Sequence, residues 1–490
     1  MTPLCRVDGG FTVPKGPGTY GPGMAAAAVR RVAGLVVLAG ALRLPFVGRP
    51  LSSDEAGFLM LARQWGHGRS LYGDYWVDRP PLLVLLFRVA ALAGGEIPLR
   101  LLGAGAVMAS VALAAVLGGQ VAPRRSGPVM AAASALVLLD SPLLGGLLID
   151  GELLAVPFVL AGLCSVLDRR WLLAGCCAMA AALVKQSLLD VFALAAAVLV
   201  WRLVRGSRRV AVRDGLVFAA GALATLGVVL AVAWAHGTTP AGVWDAVVVF
   251  RGEAGDVIAT HASPATSHRA RLLVLLWIGS GAPVLLGVTL LRKVGRSPHT
   301  DLPLGWLAGA LLGWEALGVL LGGSYWPHYL VGTVPGTVFV LARALAGGAS
   351  VRRYLAALAG CAVSLAATCT YVVVMGVPRP VGVPEVEGWL AAHAERGDTG
   401  VVAWGHAEIL ANVGLRSPYR ELWSLPVRVR DPRLHELTRV LRGPHRPTWF
   451  ITRGPGLASW GIDASTAQPV LDARYAEVER IGIWRIFHLV

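Results

Sequence analysis

The sequence is dominated by apolar runs of about 20 residues, which recur from Met24 to residue 376 and are separated by short arginine-containing segments. A helix of about 20 apolar residues crosses the hydrocarbon layer of a bilayer and satisfies its own backbone hydrogen bonds there. With 55% hydrophobic and only 15% charged residues, the chain departs strongly from soluble proteins of its length. The sequence therefore predicts an α-helical polytopic membrane protein and excludes a water-soluble enzyme.

The net charge of +15 does not indicate nucleic-acid binding, because the arginines lie mostly in clusters at the ends of apolar runs. Positive side chains in such places orient helices in a bilayer. Lysine is almost absent, since Lys15, Lys185 and Lys293 are the only lysines among 44 basic residues. The six cysteines show neither a disulfide framework nor zinc-ligand spacing. We expect a membrane, and no nucleic acid, as a partner, and no metal site from the ligand spacing.

About eleven spans are predicted, with the N-terminus inside. Residues 81–93 are apolar but too short to cross a membrane, so we expect a surface helix there. With that helix excluded, five arginine-bearing loops near residues 124, 169, 205, 294 and 352 all fall on the cytoplasmic side, as the positive-inside rule requires. Ten or twelve spans remain the alternative. The predicted spans cover residues 24–46, 98–120, 128–149, 151–167, 171–186, 187–204, 215–236, 270–291, 302–322, 327–346 and 354–376.

This topology divides the chain into three parts. Residues 1–23 are predicted to be a disordered cytoplasmic tail, 24–376 a transmembrane domain, and 377–490 a small extracytoplasmic α/β domain. The segments 47–97 and 237–269 form large external loops, the first of which carries surface helices. In the C-terminal part, Val401–Trp404 and Thr448–Thr452 read as short buried strands and Glu385–Glu395 as an amphipathic helix.

Charged residues that interrupt apolar sequence gather on the predicted outer side. Asp54 and Glu55 follow the first span, and adjacent carboxylates at a membrane surface lose hydration and repel each other, which favours a base. Ser-x-x-Glu before an apolar run also fits a helix cap, so that role stays open. Lys185 interrupts an apolar run, and an ammonium group there favours an anionic partner. A lysine that merely extends to the membrane surface is the alternative.

In the order and spacing of its motifs, the segment from Ser53 to Leu82 resembles the start of GT-C membrane glycosyltransferases of the protein O-mannosyltransferase and lipid A aminoarabinose transferase type. In that family an Asp-Glu pair after the first span precedes a Lys-Pro-Pro-Leu-like motif. Here Asp54-Glu55 and Arg79-Pro80-Pro81-Leu82 occupy those places. The resemblance extends over most of residues 24–376 and includes Arg100, the acidic turn Asp150-Gly151-Glu152, the Lys185 turn, a surface helix near Trp244–Phe250, and Tyr325-Trp326-Pro327-His328-Tyr329.

The resemblance implies an inverting transfer of a sugar from a polyprenyl-phosphate donor to an acceptor hydroxyl. The reaction would take place at the outer face of the cytoplasmic (plasma) membrane. Asp54, with Glu55 beside it, would be the catalytic group that removes the acceptor proton. The donor phosphate would be bound by Arg79, Lys185 and Arg251, since guanidinium and ammonium groups suit phosphate. Arg79 stands where the family often has lysine, a change that keeps the charge and alters the geometry.

The substrate cavity implied by the resemblance has a larger set of residues, and which acid is the second site acid, Asp150 or Glu152, is left open. Asp150 also fits a helix cap. The acceptor is open among glycan, lipid and protein. No cofactor is firmly implied, and a divalent metal near the acids is compatible with the resemblance. The expected cavity residues are Tyr72, Asp150, Glu152, His328 and Tyr329.

Two other functions are compatible with charges inside spans. A membrane transporter or lipid flippase would favour internal repeats and broken helices in both halves, which the sequence does not indicate. A non-catalytic cell-envelope scaffold would leave Asp54 and Arg79 freely replaceable. A transfer assay separates these alternatives from the glycosyltransferase.

Overall fold

A computed structural model describes residues 22–65, 70–122, 126–260, 264–291, 302–346, 351–376 and 381–490. Nearly all of the predicted tail, Arg124, Arg125 and the arginine-bearing loop near residue 294 lie outside these ranges. Helices make up most of the described chain, and a small sheet occurs only in its C-terminal part, among the ranges given.

The helices of the first half follow the apolar runs of the sequence. The run 151–167, predicted as a span, is a helix with the same bounds, and a 12-residue helix is observed where a surface helix is predicted at 81–93. The first nine helices are α1 (Pro22–Ala41), α2 (Ser53–Gln64), α3 (Pro81–Leu92), α4 (Glu96–Val121), α5 (Ser126–Leu139), α6 (Gly151–Leu167), α7 (Trp171–Val184), α8 (Asp190–Val204) and α9 (Arg208–Ala235).

The second half begins with a broken helical segment, in which a π-helical turn, Asp245–Val249, joins two helices. A 3-10 turn, Pro327–Thr333, later leads directly into a helix. Helical structure is therefore observed where the sequence predicts a surface helix near Trp244 and a late span at 327–346. The helices are α10 (Pro240–Trp244), α11 (Phe250–Thr260), α12 (Pro264–Gly279), α13 (Ala282–Gly287), α14 (Leu304–Leu321), α15 (Val334–Ala346) and α16 (Val351–Met375).

Two predicted spans are interrupted in the structure, each at a proline or glycine. The run 270–291 breaks between α12 and α13, where Gly281 has a φ of +79° and Pro283 follows. A left-handed residue ends the helical hydrogen bonding, and proline supplies no N–H to restore it. The run 128–149 ends as a helix at Leu139, before Pro142, since a residue preceding proline disfavours the helical conformation.

Within the described residues, five helical segments are long and apolar enough to cross a membrane: α4, α9, α14, Pro327–Ala346 and α16. Shorter apolar helices, α3 and α5 to α7, lie among them. Close approach between helices depends on glycine. A Cβ at Gly175 would overlap the carbonyl of Phe218, and one at Gly221 would overlap the carbonyl of Leu172, so α7 and α9 pack backbone to backbone. The predicted number of eleven spans stays a prediction.

The C-terminal part forms a four-stranded sheet in the order β1-β2-β4-β3, with β1 and β2 parallel and the other pairs antiparallel. The two strands predicted from the sequence are confirmed, and β1 is buried along its whole length. The strands are β1 (Gly400–Ala403), β2 (Trp449–Arg453), β3 (Tyr475–Ile481) and β4 (Trp484–Leu489). The helices are α17 (Val383–His393), α18 (Ala407–Val413), α19 (Ser424–Arg430), α20 (His435–Arg442) and α21 (Gln468–Arg474).

The C-terminal part is joined to the segment that follows α1. The backbone N–H of Trp76 donates to the carbonyl of Arg420 at 3.0 Å, and the backbone N–H of Ser417 donates to the hydroxyl of Tyr75 at 3.0 Å. Helix α18 packs on α2. The loop between α18 and α19 therefore lies directly over the beginning of α2, where the Asp-Glu pair stands.

Candidate active site

Helix α2 begins with a capping box, so the capping role left open by the sequence is observed. The Ser52 hydroxyl accepts a hydrogen bond from the backbone N–H of Glu55 at 3.4 Å, and the Glu55 carboxylate accepts one from the backbone N–H of Ser52 at 2.8 Å. Such a cap satisfies two of the unpaired amides at a helix N-terminus. The cap fixes the first turn of the helix, which carries Asp54.

Glu55 is fully buried and its carboxylate is saturated with donors. It accepts hydrogen bonds from Arg49 at 2.9 Å, from both terminal nitrogens of Arg100, and from the backbone N–H of Ile149 at 2.8 Å. Burial alone would raise the pKa of Glu55, but Arg49 and Arg100 hold that pKa below its usual range. These contacts argue against a direct catalytic role for Glu55. The carboxylate instead joins the start of α2 to α4 and to the turn before α6.

Asp54, the neighbour of Glu55, is only partly buried and has a different partner. Its Oδ1 accepts a hydrogen bond at 2.8 Å from the indole N–H of Trp423, in the C-terminal part. Nothing in the sequence links these two positions, which are 369 residues apart. Sequence reasoning missed Trp423, and no spacing rule could have found it.

Asp78 brings two of the predicted phosphate-binding arginines together. Its Oδ1 lies 2.6 Å from Nη1 of Arg79, and its Oδ2 contacts Nη2 of Arg251. The backbone carbonyl of Asp78 accepts a hydrogen bond from Gln186 at 2.9 Å, and Tyr72 donates its hydroxyl to the carbonyl of Arg79 at 2.9 Å. Tyr72 therefore supports the Arg79 backbone. The Arg-Pro-Pro-Leu motif, the start of α11 and the α7–α8 turn meet at Asp78.

Lys185 forms a second charged group with the acidic turn. Its Nζ lies 2.8 Å from Oε1 of Glu152 and 5.4 Å from the ring centroid of Tyr329. Nearby, Nδ1 of His328 lies 3.6 Å from Oδ2 of Asp150. All but Tyr329 are buried. The α5–α6 turn, the α7–α8 turn and the 3-10 turn before α15 thus bring together all the predicted cavity residues except Tyr72.

Asp150 has two distinct carboxylate oxygens. Oδ1 accepts the backbone N–H of Leu153 at 3.0 Å and so caps α6, as the sequence allows. Oδ2 has no hydrogen-bond partner within the described ranges. Burial first, and then repulsion by the Glu152 carboxylate, raise the pKa of Asp150 well above its usual range. The helix-capping and site roles therefore belong to different oxygens of one side chain.

Asp150, Glu152 and His328 are also the residues that could hold a divalent ion. Their ligand atoms all lie within 4.8 Å of one another. Two carboxylates and an imidazole suit Zn²⁺ or Mn²⁺. The ammonium of Lys185 already neutralises Glu152 in this arrangement, so the acids have a cationic partner from the chain itself.

A cavity of about 300 Å³ lies beside this cluster and is lined by Glu152, Lys185, Arg251 and Tyr329. The wall of this cavity also contains two acids, Asp190 and Glu315, whose exposed fractions are 1% and 5%. Neither forms an ion pair with a basic residue in the described chain. Both were missed at the sequence level, although a glutamate inside an apolar run such as 302–322 is a recognisable signal of an intramembrane site.

An apolar groove of about 500 Å³ adjoins Glu315 on its other side. Helices α12, α14 and α15 form it, with Trp277, Leu312 and Val319 among its wall residues. Glu315 therefore contributes to both the charged cavity and the apolar groove. A molecule with a charged head and a long hydrocarbon tail matches this pair of spaces.

Asp54 lies close to the acidic turn, because its neighbour Glu55 accepts the backbone N–H of Ile149, the residue before Asp150, at 2.8 Å. Lys185 contacts the same turn through Glu152, at 2.8 Å. This is the juxtaposition on which the sequence-based function depends. The surrounding charges are four acids, Asp54, Asp78, Asp150 and Glu152, and three bases, Arg79, Lys185 and Arg251.

No family model and no curated protein matches the chain by sequence. Among solved structures, the crystal structure of ArnT from Cupriavidus metallidurans bound to undecaprenyl phosphate is similar, with a TM-score of 0.59 at 13% identity over 96% of this chain and 99% of that one. The chain shares the fold of this structure. The motif resemblance is thereby confirmed at the level of the fold, and the chain is a multi-pass membrane protein.

Two further structures align over most of the chain with lower scores. Apo ArnT from the same organism gives a TM-score of 0.48 at 14% identity over 95% of this chain and 98% of that one. The mycobacterial arabinofuranosyltransferase AftD gives 0.43 at 16% identity over 94% of this chain and 41% of its own. The fold assignment rests on the first structure.

Proposed function

We propose that this protein is an inverting glycosyltransferase that uses a polyprenyl-phosphate sugar at the outer face of the cytoplasmic membrane. The observation that carries the proposal is that Asp54 and Lys185 both lie at the acidic turn Asp150-Gly151-Glu152, beside a cavity lined by two cations. A base for the acceptor and cations for the leaving phosphate are the two requirements of this chemistry.

Asp54 is the base in this proposal. It removes the proton from the acceptor hydroxyl while the acceptor oxygen attacks the anomeric carbon from the face opposite the phosphate. The bond between the anomeric carbon and the phosphate oxygen breaks, and the polyprenyl phosphate leaves with the electron pair. The products are the glycosylated acceptor and polyprenyl phosphate, with inversion at the anomeric carbon. Glu55 has no part in proton transfer, since its oxygens are occupied.

Lys185, Arg251 and Arg79 stabilise the leaving phosphate. Lys185 and Arg251 line the same cavity, and Asp78 holds Arg251 beside Arg79. Charge that develops on a phosphate oxygen is stabilised by prearranged cations in a site with little water. A phosphate leaving group needs no strong acid, so this division of roles requires no proton donor. The proposal likewise requires no cofactor.

The apolar groove between α12, α14 and α15 suits the hydrocarbon chain of the donor. It shares the lining residues Glu315 and Val319 with the charged cavity. The similar ArnT structure contains undecaprenyl phosphate. These two observations support a polyprenyl phosphate as the donor carrier. The sugar is left open between hexose and pentose, and the acceptor among glycan, lipid and protein.

The test is a transfer assay with the full chain in lipid nanodiscs. The probes are radiolabelled polyprenyl-phosphate mannose and polyprenyl-phosphate arabinose, offered with cell-envelope membranes as acceptor. We expect radiolabel in the acceptor and release of polyprenyl phosphate. Asp54→Asn should lower both by about 100-fold or more, while Asp74→Asn, at an exposed aspartate of the same external segment, should leave them unchanged.

The same preparation separates the other functions. A flippase would move intact donor between leaflets of a proteoliposome without releasing polyprenyl phosphate. A scaffold would give neither result, and Asp54→Asn would behave like the unaltered protein. Full activity in Asp54→Asn would remove this residue from the mechanism.

A further inference from the structure

Trp423 is the one hydrogen-bond donor to the Asp54 carboxylate within the residues that the structure describes. The indole N–H donates to Oδ1 at 2.8 Å. A hydrogen bond to an ionised carboxylate is stronger and more directional than one between neutral groups. The donor belongs to the loop before α19, far from the membrane helices in sequence, so the contact exists only when the C-terminal part is seated on α2.

The indole ring is fixed by its packing as well as by its N–H. Its centroid lies 5.3 Å from that of Phe58, and its six-membered ring lies against the backbone of Gly57. A Cβ at Gly57 would overlap that ring. Glycine inside a helix is less favourable than alanine by about 1 kcal/mol. Its presence one turn after the cap of α2 is explained by the close approach of the indole.

Further hydrogen bonds join the C-terminal part to the segments that carry Asp54 and Arg79. The backbone N–H of His406 donates to Oγ of Ser53 at 3.1 Å. Arg420 accepts the backbone N–H of Trp76 at 3.0 Å and donates its Nη2 to the carbonyl of Tyr72 at 3.1 Å. The contacts therefore reach the residue next to Asp54 and the segment that leads to Arg79.

We propose that Trp423 is a positioning residue for Asp54, an inference that rests on the proposed function. The N–H holds Oδ1, and this leaves Oδ2 to receive the proton of the acceptor hydroxyl. A base held in one orientation loses less freedom when the acceptor arrives. Trp423 acts on the reaction only through Asp54, and donor binding is independent of it.

The experiment compares Trp423→Phe with Trp449→Phe in the full chain. Phenylalanine keeps an aromatic ring over Gly57 and removes the N–H. Trp449 is a matched control, because it lies in the same C-terminal part and donates its indole N–H to Asp398 at 2.8 Å. With polyprenyl-phosphate mannose or arabinose as donor, Trp423→Phe should lower kcat about tenfold and leave the donor KM within about twofold. Trp449→Phe should leave both unchanged.

A double-mutant cycle gives a readout that a purely structural role would not change. In the Asp54→Asn background, Trp423→Phe should cause no further loss, because the group that it positions is absent. Gly57→Ala is a second route to the same effect, since its Cβ displaces the indole without altering either polar group, and kcat should fall.

The possible outcomes distinguish failure of this inference from failure of the proposed function. Loss of kcat in Trp423→Phe and Gly57→Ala with non-additivity toward Asp54→Asn supports the inference. An unchanged kcat in Trp423→Phe, in a protein whose transfer is strongly reduced by Asp54→Asn, overturns the inference and leaves the proposed function standing. A fully additive cycle also overturns it. Absence of transfer by the unaltered protein overturns both.

Discussion

Two buried acidic centres lie close together in this protein and differ in how fully their carboxylate oxygens are hydrogen-bonded. At Glu55, every carboxylate oxygen is occupied, with Arg49, Arg100 and backbone amides as donors. At the centre formed by Asp150 and Glu152, one oxygen of each carboxylate has no hydrogen-bond partner in the described chain, and a cavity adjoins them. Buried polar groups are normally satisfied. The difference separates a centre that holds the fold from one suited to a ligand.

The largest expected effects test whether Glu55 holds the fold while its neighbour Asp54 serves the site, and they come from neutralising these two acids separately. Asp54→Asn should lower transfer by about 100-fold or more, as removal of a general base does, and leave stability nearly unchanged. Glu55→Gln should destabilise the protein by about 3–5 kcal/mol, because it leaves buried arginines uncompensated. Transfer assays and thermal unfolding in detergent measure the two effects. The reverse pattern would exchange the two roles.

The second prediction sharpens the comparison at Lys185. Lys185→Met should weaken binding of undecaprenyl phosphate about 10- to 100-fold, since a hydrogen-bonded charge contributes about 1.5–3 kcal/mol. Lys185→Arg keeps the charge and should lose less. Equilibrium binding in nanodiscs checks both. The control is Lys185→Met with Glu152→Gln, which removes the unpaired carboxylate and should restore stability without restoring affinity; equal affinity in all variants would exclude a phosphate contact.

The third prediction concerns pH and the joint between the C-terminal part and the membrane helices. Burial, reinforced by Glu436 and Asp431, raises the pKa of Glu421 to about 8. The folded state therefore favours the protonated form, so stability is highest near pH 5 and falls by a few kcal/mol at most as pH rises through about 8. Thermal unfolding between these values measures the slope.

Glu421→Gln should remove most of that slope and stabilise the protein at pH 9. The matched change Glu395→Gln, at an exposed glutamate of the same part of the chain, should leave the slope as it is. An equal slope in all three proteins would show that another group titrates.

The smallest expected effect lies at the opposite end of the helices. Asp214 contacts Arg202, whose side chain is 8% exposed, and Arg213, whose side chain is 74% exposed. Arg213→Ala should change the free energy of unfolding by about 0.5 kcal/mol or less, as exposed ion pairs contribute little. Arg202→Met should cost several times more, because it leaves Asp214 without its buried partner. Denaturation of the two variants in parallel tests the ratio.

The helices and strands were largely predictable from the sequence, since apolar runs, prolines and arginines act locally. Helix α6 and the β1 and β2 strands are examples. The helix breaks at Gly281 and before Pro142 depend on single residues within apolar runs, which the mean hydropathy of a run does not reveal. For the site, the motif resemblance supplied Asp54, Arg79 and Lys185, whose roles stay predictions. The satisfaction of Glu55 and the contact of Trp423 with Asp54 arise from packing between distant segments, which no local pattern encodes.

The bond between Trp423 and Asp54 has a consequence for biosynthesis. Translation delivers α2 to the membrane long before the loop before α19 is made, because 369 residues separate the two partners. The proposed base therefore acquires its orienting partner only after all the intervening helices have been synthesised and the C-terminal part has folded back onto the first ones. A chain that ends before this loop lacks the indole N–H that contacts Asp54.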